Sequence, residues 1–134
     1  MYAASALRQY QKVNVQSQVM DASPHRLIQL LMEGGLTRLA QARGAMERGD
    51  VPGKGEAIGK AVAIIIGLRE ALNMEEGGEL ATNLNRLYEY MGRRLTEANR
   101  KNDPLLIEEV SNLLKELKAG WDGIAQPELA AAGA

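Results

Sequence analysis

Cysteine and phenylalanine are both absent from this chain of 134 residues, and aromatic residues make up only 4% of it. Without cysteine there can be no disulfide, thiolate nucleophile or thiolate metal site. With one Trp and four Tyr, a core has to be assembled from Leu, Ile, Val, Ala and Met, a mixture that favours helix over sheet. Charge of either sign is not in excess. Sixteen Lys and Arg against 17 Asp and Glu leave a net charge of −1, so no general field draws in nucleic acid or an anionic membrane. No apolar run approaches the ~20 residues that a membrane span needs. The first residues lack the charged start and apolar centre of a secretory signal. A cytoplasmic protein with no membrane insertion and no nucleic-acid partner is expected. The length suits one domain with a continuous core.

Reactive constellations are missing as well. The only histidine, His25, falls in the first turn of a predicted helix, where an exposed or capping role is expected. Neighbouring carboxylates in Glu75-Glu76 and Glu108-Glu109 point apart on a helix or lie at its end. No Glu-x-x-His motif of a carboxylate-bridged metal bundle occurs. The glycines at 53, 55 and 59 follow no strand and precede no Gly-Lys-Ser/Thr, so they form no phosphate loop. The expectation is no enzyme: no catalytic residues, no cofactor and no metal.

What the chain does contain is helical periodicity. In residues 1–22, Ala3, Ala6, Leu7 and Tyr10 recur at i, i+3, i+4 and i+7, enough for two amphipathic turns. Val13, Val15, Val19 and Met20 follow among polar residues as an extended strap. So short a helix is marginal alone and needs an apolar support. A first long helix opens with Ser23 as N-cap and Pro24 at its first position. Its buried stripe is Leu27, Ile28, Leu31, Met32, Gly35, Leu36, Leu39, Ala42 and Met46. Leu30 falls on the polar side, and Gly34-Gly35 suggests close approach of a neighbour. Gly49-Asp50-Val51-Pro52-Gly53 reads as a break.

The second helix, predicted over 54–72, carries apolar residues around roughly 220° of its wheel, against the ~100° stripe of an ordinary surface helix. Val62, Ile64, Ile65 and Ile66 belong to that excess, which an arm or a partner could bury. The third follows Gly77-Gly78, with Leu80, Leu84, Leu87, Tyr88, Met91, Leu95 and Ala98 inward and Tyr90 stranded among charged residues. Arg93, Arg94, Arg100 and Lys101 near its end suit the negative pole of the helix dipole. Asn102-Asp103-Pro104 caps a fourth helix that buries Leu106, Ile107, Val110, Leu113, Leu114, Leu117 and Trp121, with Ile124 at its end. Together these predict an all-α fold. An antiparallel up-down four-helix bundle spans 23–126, with a short N-terminal arm at 1–22 and a disordered tail at 127–134.

The ordered run Leu72, Gly77-Gly78, Ala81, Asn83-Leu84, Leu87-Tyr88-Glu89-Tyr90-Met91, Arg94-Leu95 and Ala98-Asn99 resembles the flagellin export chaperones of the FliS family. The likeness extends upstream through Ala22-Ser23-Pro24, Leu27-Ile28 and Leu31, and downstream through Asn102-Asp103, Val110, Leu113-Leu114, Leu117 and Trp121. Met32 departs from it, standing where members often carry tyrosine. The resemblance implies a protein that holds the C-terminal segment of flagellin, prevents premature assembly and presents the complex to the export-gate protein of the flagellar secretion system. It also gives weight to the arm as a movable cover. The expected client-binding residues are Leu7, Tyr10, Val13, Val15, Leu30, Val62, Ile64, Ile66 and Tyr90. The competing expectation is an oligomeric bundle that uses its Ile-rich arc as a homodimer interface.

Overall fold

A computed structural model describes residues 22–124, which form four α-helices and, among the described residues, no strand. Helix α1 runs Pro24–Arg48, α2 Val51–Glu70, α3 Gly78–Lys101 and α4 Pro104–Asp122. Each packs on its neighbour in sequence, and α1 and α4 close the ring. Short turns between successive neighbours make the bundle antiparallel, as the sequence predicts.

Local chemistry sets the helix ends. The Ser23 hydroxyl accepts the Arg26 N–H at 3.1 Å, and Pro24 occupies a position whose N–H would have no helical partner. At the other end of α1, Gly49 takes φ 71°. Its N–H reaches the Met46 carbonyl at 3.2 Å while the Asp50 N–H reaches Ala45 at 2.8 Å. This double closure satisfies two carbonyls that the helix end would orphan, and it favours glycine.

The expected break at 49–53 is much shorter than the sequence suggests. Asp50 at once caps α2, its Oδ1 accepting the Gly53 N–H at 3.0 Å. Val51, Pro52 and Gly53 are already helical. Proline in a first turn starts a helix, where in the interior it would end one. A Cβ at Gly53 would lie 2.2 Å from the Asp50 carboxylate, so a larger residue there would have to displace the capping side chain. The α3–α4 turn is equally short. Asn102 takes φ 54°, and Asp103 Oδ1 accepts the Leu105 N–H at 3.0 Å.

The core runs through Leu31, Leu39, Ile65, Leu68, Met91, Leu95, Ile107, Val110 and Leu114. Gly35 allows the closest approach in it. A Cβ there would meet Leu114 at 3.0 Å and Ile64 at 3.4 Å, so three helices converge on one missing methyl group.

Several expectations need correction. Leu30 is not on an exposed face; it is 5% accessible. Since α1 lies between two helices, its buried arc is wider than one stripe and takes in Leu30, Gly34 and Ala45 on one flank. His25 is 3% accessible, neither exposed nor a cap. Its ring stacks on Trp121 with centroids 5.0 Å apart, and Nε2 lies 2.9 Å from the Trp121 carbonyl. Trp121 Nε1 donates in return to the His25 carbonyl at 3.0 Å, clasping the start of α1 to the end of α4. Leu80 is 68% exposed, although its wheel position faces inward. It sits in the first turn of α3 at the bundle's end, where Ala81 is the buried residue, covered by the backbone of Gly77. Leu84, Leu87, Leu113, Leu117 and Trp121 are only partly buried.

Truncation costs should follow this burial. Leu95→Ala is expected to lose about 2–5 kcal/mol through cavity formation. Gly35→Val should lose about 1–3 kcal/mol by overpacking, and Leu80→Ala should stay within about 0.5 kcal/mol of the parent. Urea midpoints read with an unchanged slope test all three.

Candidate functional site

Helices α2 and α3 do not close completely against each other. Between them lies a groove of ≈ 530 Å³, lined by Val62, Ile65, Ile66 and Arg69 from α2 and by Tyr88, Glu89, Gly92, Arg93 and Thr96 from α3. Val62 and Ile66, four residues apart, stand on one face of α2 and remain half-buried. Gly92 opens the α3 wall, for a Cβ there would meet nothing within 4 Å. The result is an apolar trough with a polar rim, the usual form of a groove that accepts an amphipathic helix.

The rim is unevenly satisfied. At one end Arg69 Nε donates to Asn85 Oδ1 at 2.6 Å, and Arg69 Nη2 lies 3.7 Å from Glu89 Oε2. The other Glu89 oxygen accepts from Asn85 Nδ2 at 3.3 Å. These three side chains tie α2 to α3. The Thr96 hydroxyl is engaged with the Gly92 carbonyl at 3.0 Å. Tyr88 is buried, and burial pushes its phenol up to about 12. Its hydroxyl has no hydrogen-bond partner among the described residues, yet no buried side-chain polar atom there is left unsatisfied. The hydroxyl therefore keeps access to solvent.

The residues expected to bind a client are dispersed. Val62 and Ile66 line the groove together. Ile64 faces the opposite way, into the core against Gly35, and is 8% accessible. Leu30 is buried on α1. Leu7, Tyr10, Val13 and Val15 lie outside the described residues. Tyr90 points away from the core stripe, as its wheel position requires, but it is not left alone among charges. It bridges to α4, its hydroxyl donating to Glu109 Oε2. Arg94 Nε donates to the other Glu109 oxygen at 2.8 Å, and Glu97 links Arg94 at 3.1 Å with Lys101 at 2.6 Å. Tyr90 thus belongs to a polar strap over the α3–α4 seam and not to the α2–α3 groove. Sequence reasoning missed Tyr88, Gly92 and Arg93 as groove residues. Gly92 within a helix was the available signal.

No group of three or more His, Asp or Glu that could hold a metal occurs among the described residues. No described helix is long and apolar enough to cross a membrane. Among the described residues, an all-α four-helix bundle with an apolar groove between α2 and α3 defines the class. The chain matches the family described as flagellar protein FliS over residues 6–128. It is 67% identical to flagellar secretion chaperone FliSB of Pseudomonas aeruginosa, over 93% of this chain and 99% of that protein. It is 50% identical to flagellar secretion chaperone FliS of Salmonella typhimurium, over 93% of each. Against flagellar secretion chaperone FliS of Vibrio cholerae it is 48% identical, over 89% of this chain and 88% of that protein. This chain belongs to the FliS family of flagellar secretion chaperones.

The Tyr90–Glu109 strap makes a pH-dependent contribution. Hydrogen bonds from Tyr90 and then Arg94 hold the Glu109 carboxyl below the usual glutamate range. A carboxyl whose folded pKa is depressed stabilises the fold above its unfolded value, about 4.3, and loses that contribution as pH falls through the folded pKa. Glu109→Gln should therefore show a shallower loss of stability below about pH 4 than the parent. Urea midpoints taken from neutral to acid pH provide the check.

Proposed function

We propose that this protein is a cytosolic export chaperone that binds the C-terminal segment of flagellin, keeps it from assembling prematurely and delivers it to the export-gate protein of the flagellar secretion system. The observation that carries the reading is the open apolar groove of Val62, Ile65, Ile66 and Gly92 on a chain whose relatives are named flagellar secretion chaperones. A disordered, amphipathic client gains its binding energy by laying apolar residues into such a trough, and its ordering cost keeps the complex reversible. Reversibility suits a carrier that must give up its cargo. The reading assigns binding and no catalysis.

Residues 1–22 enter this proposal as an arm that competes with the client for apolar surface. The homodimer reading has less support. Ile64 is spent inside the bundle and Ile65, on the groove floor, is 2% accessible, leaving a narrow strip at Val62 and Ile66. An obligate homodimer interface usually buries ~2,000 Å² or more.

Titration calorimetry with flagellin should give one client per chaperone, and flagellin truncated at its C-terminus should not bind. Undiminished binding of the truncated client overturns the proposal. Gly92→Gln should separate binding from stability. Replacing a helical glycine that meets open space gains about 0.5–1 kcal/mol, while the new side chain fills the trough and weakens the client. Deleting residues 1–16 should speed client association.

A further inference from the structure

The polar groups of the α2–α3 groove are unbalanced in a way that says what its occupant must carry. Its only carboxylate, Glu89, is engaged through both oxygens by Asn85 and Arg69. The Thr96 hydroxyl is engaged by the Gly92 carbonyl. Arg93 and Tyr88 also line the groove. Arg93 is exposed and forms no ion pair or hydrogen bond among the described residues. Glu89, one helical turn before it, is its natural i,i+4 partner, but Arg69 draws that carboxylate to the opposite end. Tyr88 likewise presents a hydroxyl with no acceptor among the described residues. Two unpartnered side chains, the donor-only Arg93 guanidinium and the Tyr88 hydroxyl, therefore line a trough whose one carboxylate is already engaged.

We infer that Arg93 is a specificity-determining residue of this groove, pairing with a carboxylate of the helical segment that fills it. The occupant is an amphipathic helix. Its apolar residues enter between Val62, Ile66 and Gly92, and an acidic residue on its flank meets the Arg93 guanidinium. A segment of the same apolar pattern without the acid fits the floor and leaves the cation unpaired. One with a lysine there is repelled. Charge at the rim of an apolar site chooses register and direction more than it adds affinity. Arg93 would thus fix which way the client helix runs. The inference rests on the groove being the client site, so its test must separate the two.

The experiment measures binding of the flagellin C-terminal segment to the full chain and to Arg93→Glu, Arg93→Lys and Gly92→Gln. Arg93 is exposed and unpaired, so thermal unfolding of its variants should match the parent. Arg93→Glu should weaken the segment about 10-fold at low salt, with the deficit shrinking as ionic strength rises, while Arg93→Lys should retain most of the affinity. Reversing the acidic residues of the segment to lysine one at a time should identify one change that restores binding to Arg93→Glu and impairs binding to the parent. Parent-like binding by Arg93→Glu, with Gly92→Gln impaired, overturns the role of Arg93 and leaves the groove as the site. A deficit in Arg93→Glu that no single reversal rescues also overturns it, because the cation then acts as diffuse charge and not through a pair. Parent-like binding by both variants overturns the groove itself.

Discussion

The approach of Ile64 and Leu114 to Gly35 ties three of the four helices together. One methyl group is missing at Gly35, and side chains from α2 and α4 move into that space. Helix α2 lies much more closely against α1 than against α3. The flank of α2 that carries Val62 and Ile66 stands back from α3, and Gly92 on the facing wall widens the gap.

A bundle with so uneven a seam needs other ties between α2 and α3. Lys54, though charged, is 8% accessible. Its ammonium donates to the Asn99 carbonyl at 3.2 Å and to Asn102 Oδ1 at 3.0 Å. The first turn of α2 therefore caps the last turn of α3, placing a cation where the helix dipole favours one. At the far end Arg69, Asn85 and Glu89 make the second tie. The groove lies between two polar clasps, which let its middle stay open while the helices keep their register. The His25–Trp121 clasp does the same work for α1 and α4.

The four helices were legible in the sequence because their ends are written in short-range chemistry: Ser23-Pro24, Asp50 before Pro52, and Asn102-Asp103-Pro104. The core was legible from periodicity, with Leu31, Leu39, Met91, Leu95, Val110 and Leu114 all inward as expected. What could not be read were properties of pairs distant in sequence. His25 is expected to be exposed or a cap because the ring it stacks on is 96 positions away. Leu30 seemed exposed because a helical wheel knows one stripe, whereas α1 is covered from two sides. The site was legible only in part. Val62 and Ile66 were marked by their excess of apolar character. Ile64 shared that signal, but the spacing of two residues turns it to the other side of the helix. Tyr90 was marked for the same reason that its neighbour Tyr88 was overlooked: polarity on the wheel identifies the outward face without saying which seam that face adjoins.

The same arrangement limits what a second copy of the chain could gain at the exposed apolar groove. The trough is narrow, and its rim polar groups are mostly neutralised within the chain, so a second copy finds few unsatisfied partners there. Burying Arg93 against such a copy would leave a guanidinium unpaired, because the copy's own Glu89 is already engaged. An uncompensated charge of that kind opposes association. A client with a carboxylate at the right place removes the penalty. The cation that makes self-association costly is then the one that rewards the intended occupant, and one unpaired side chain is enough for both effects.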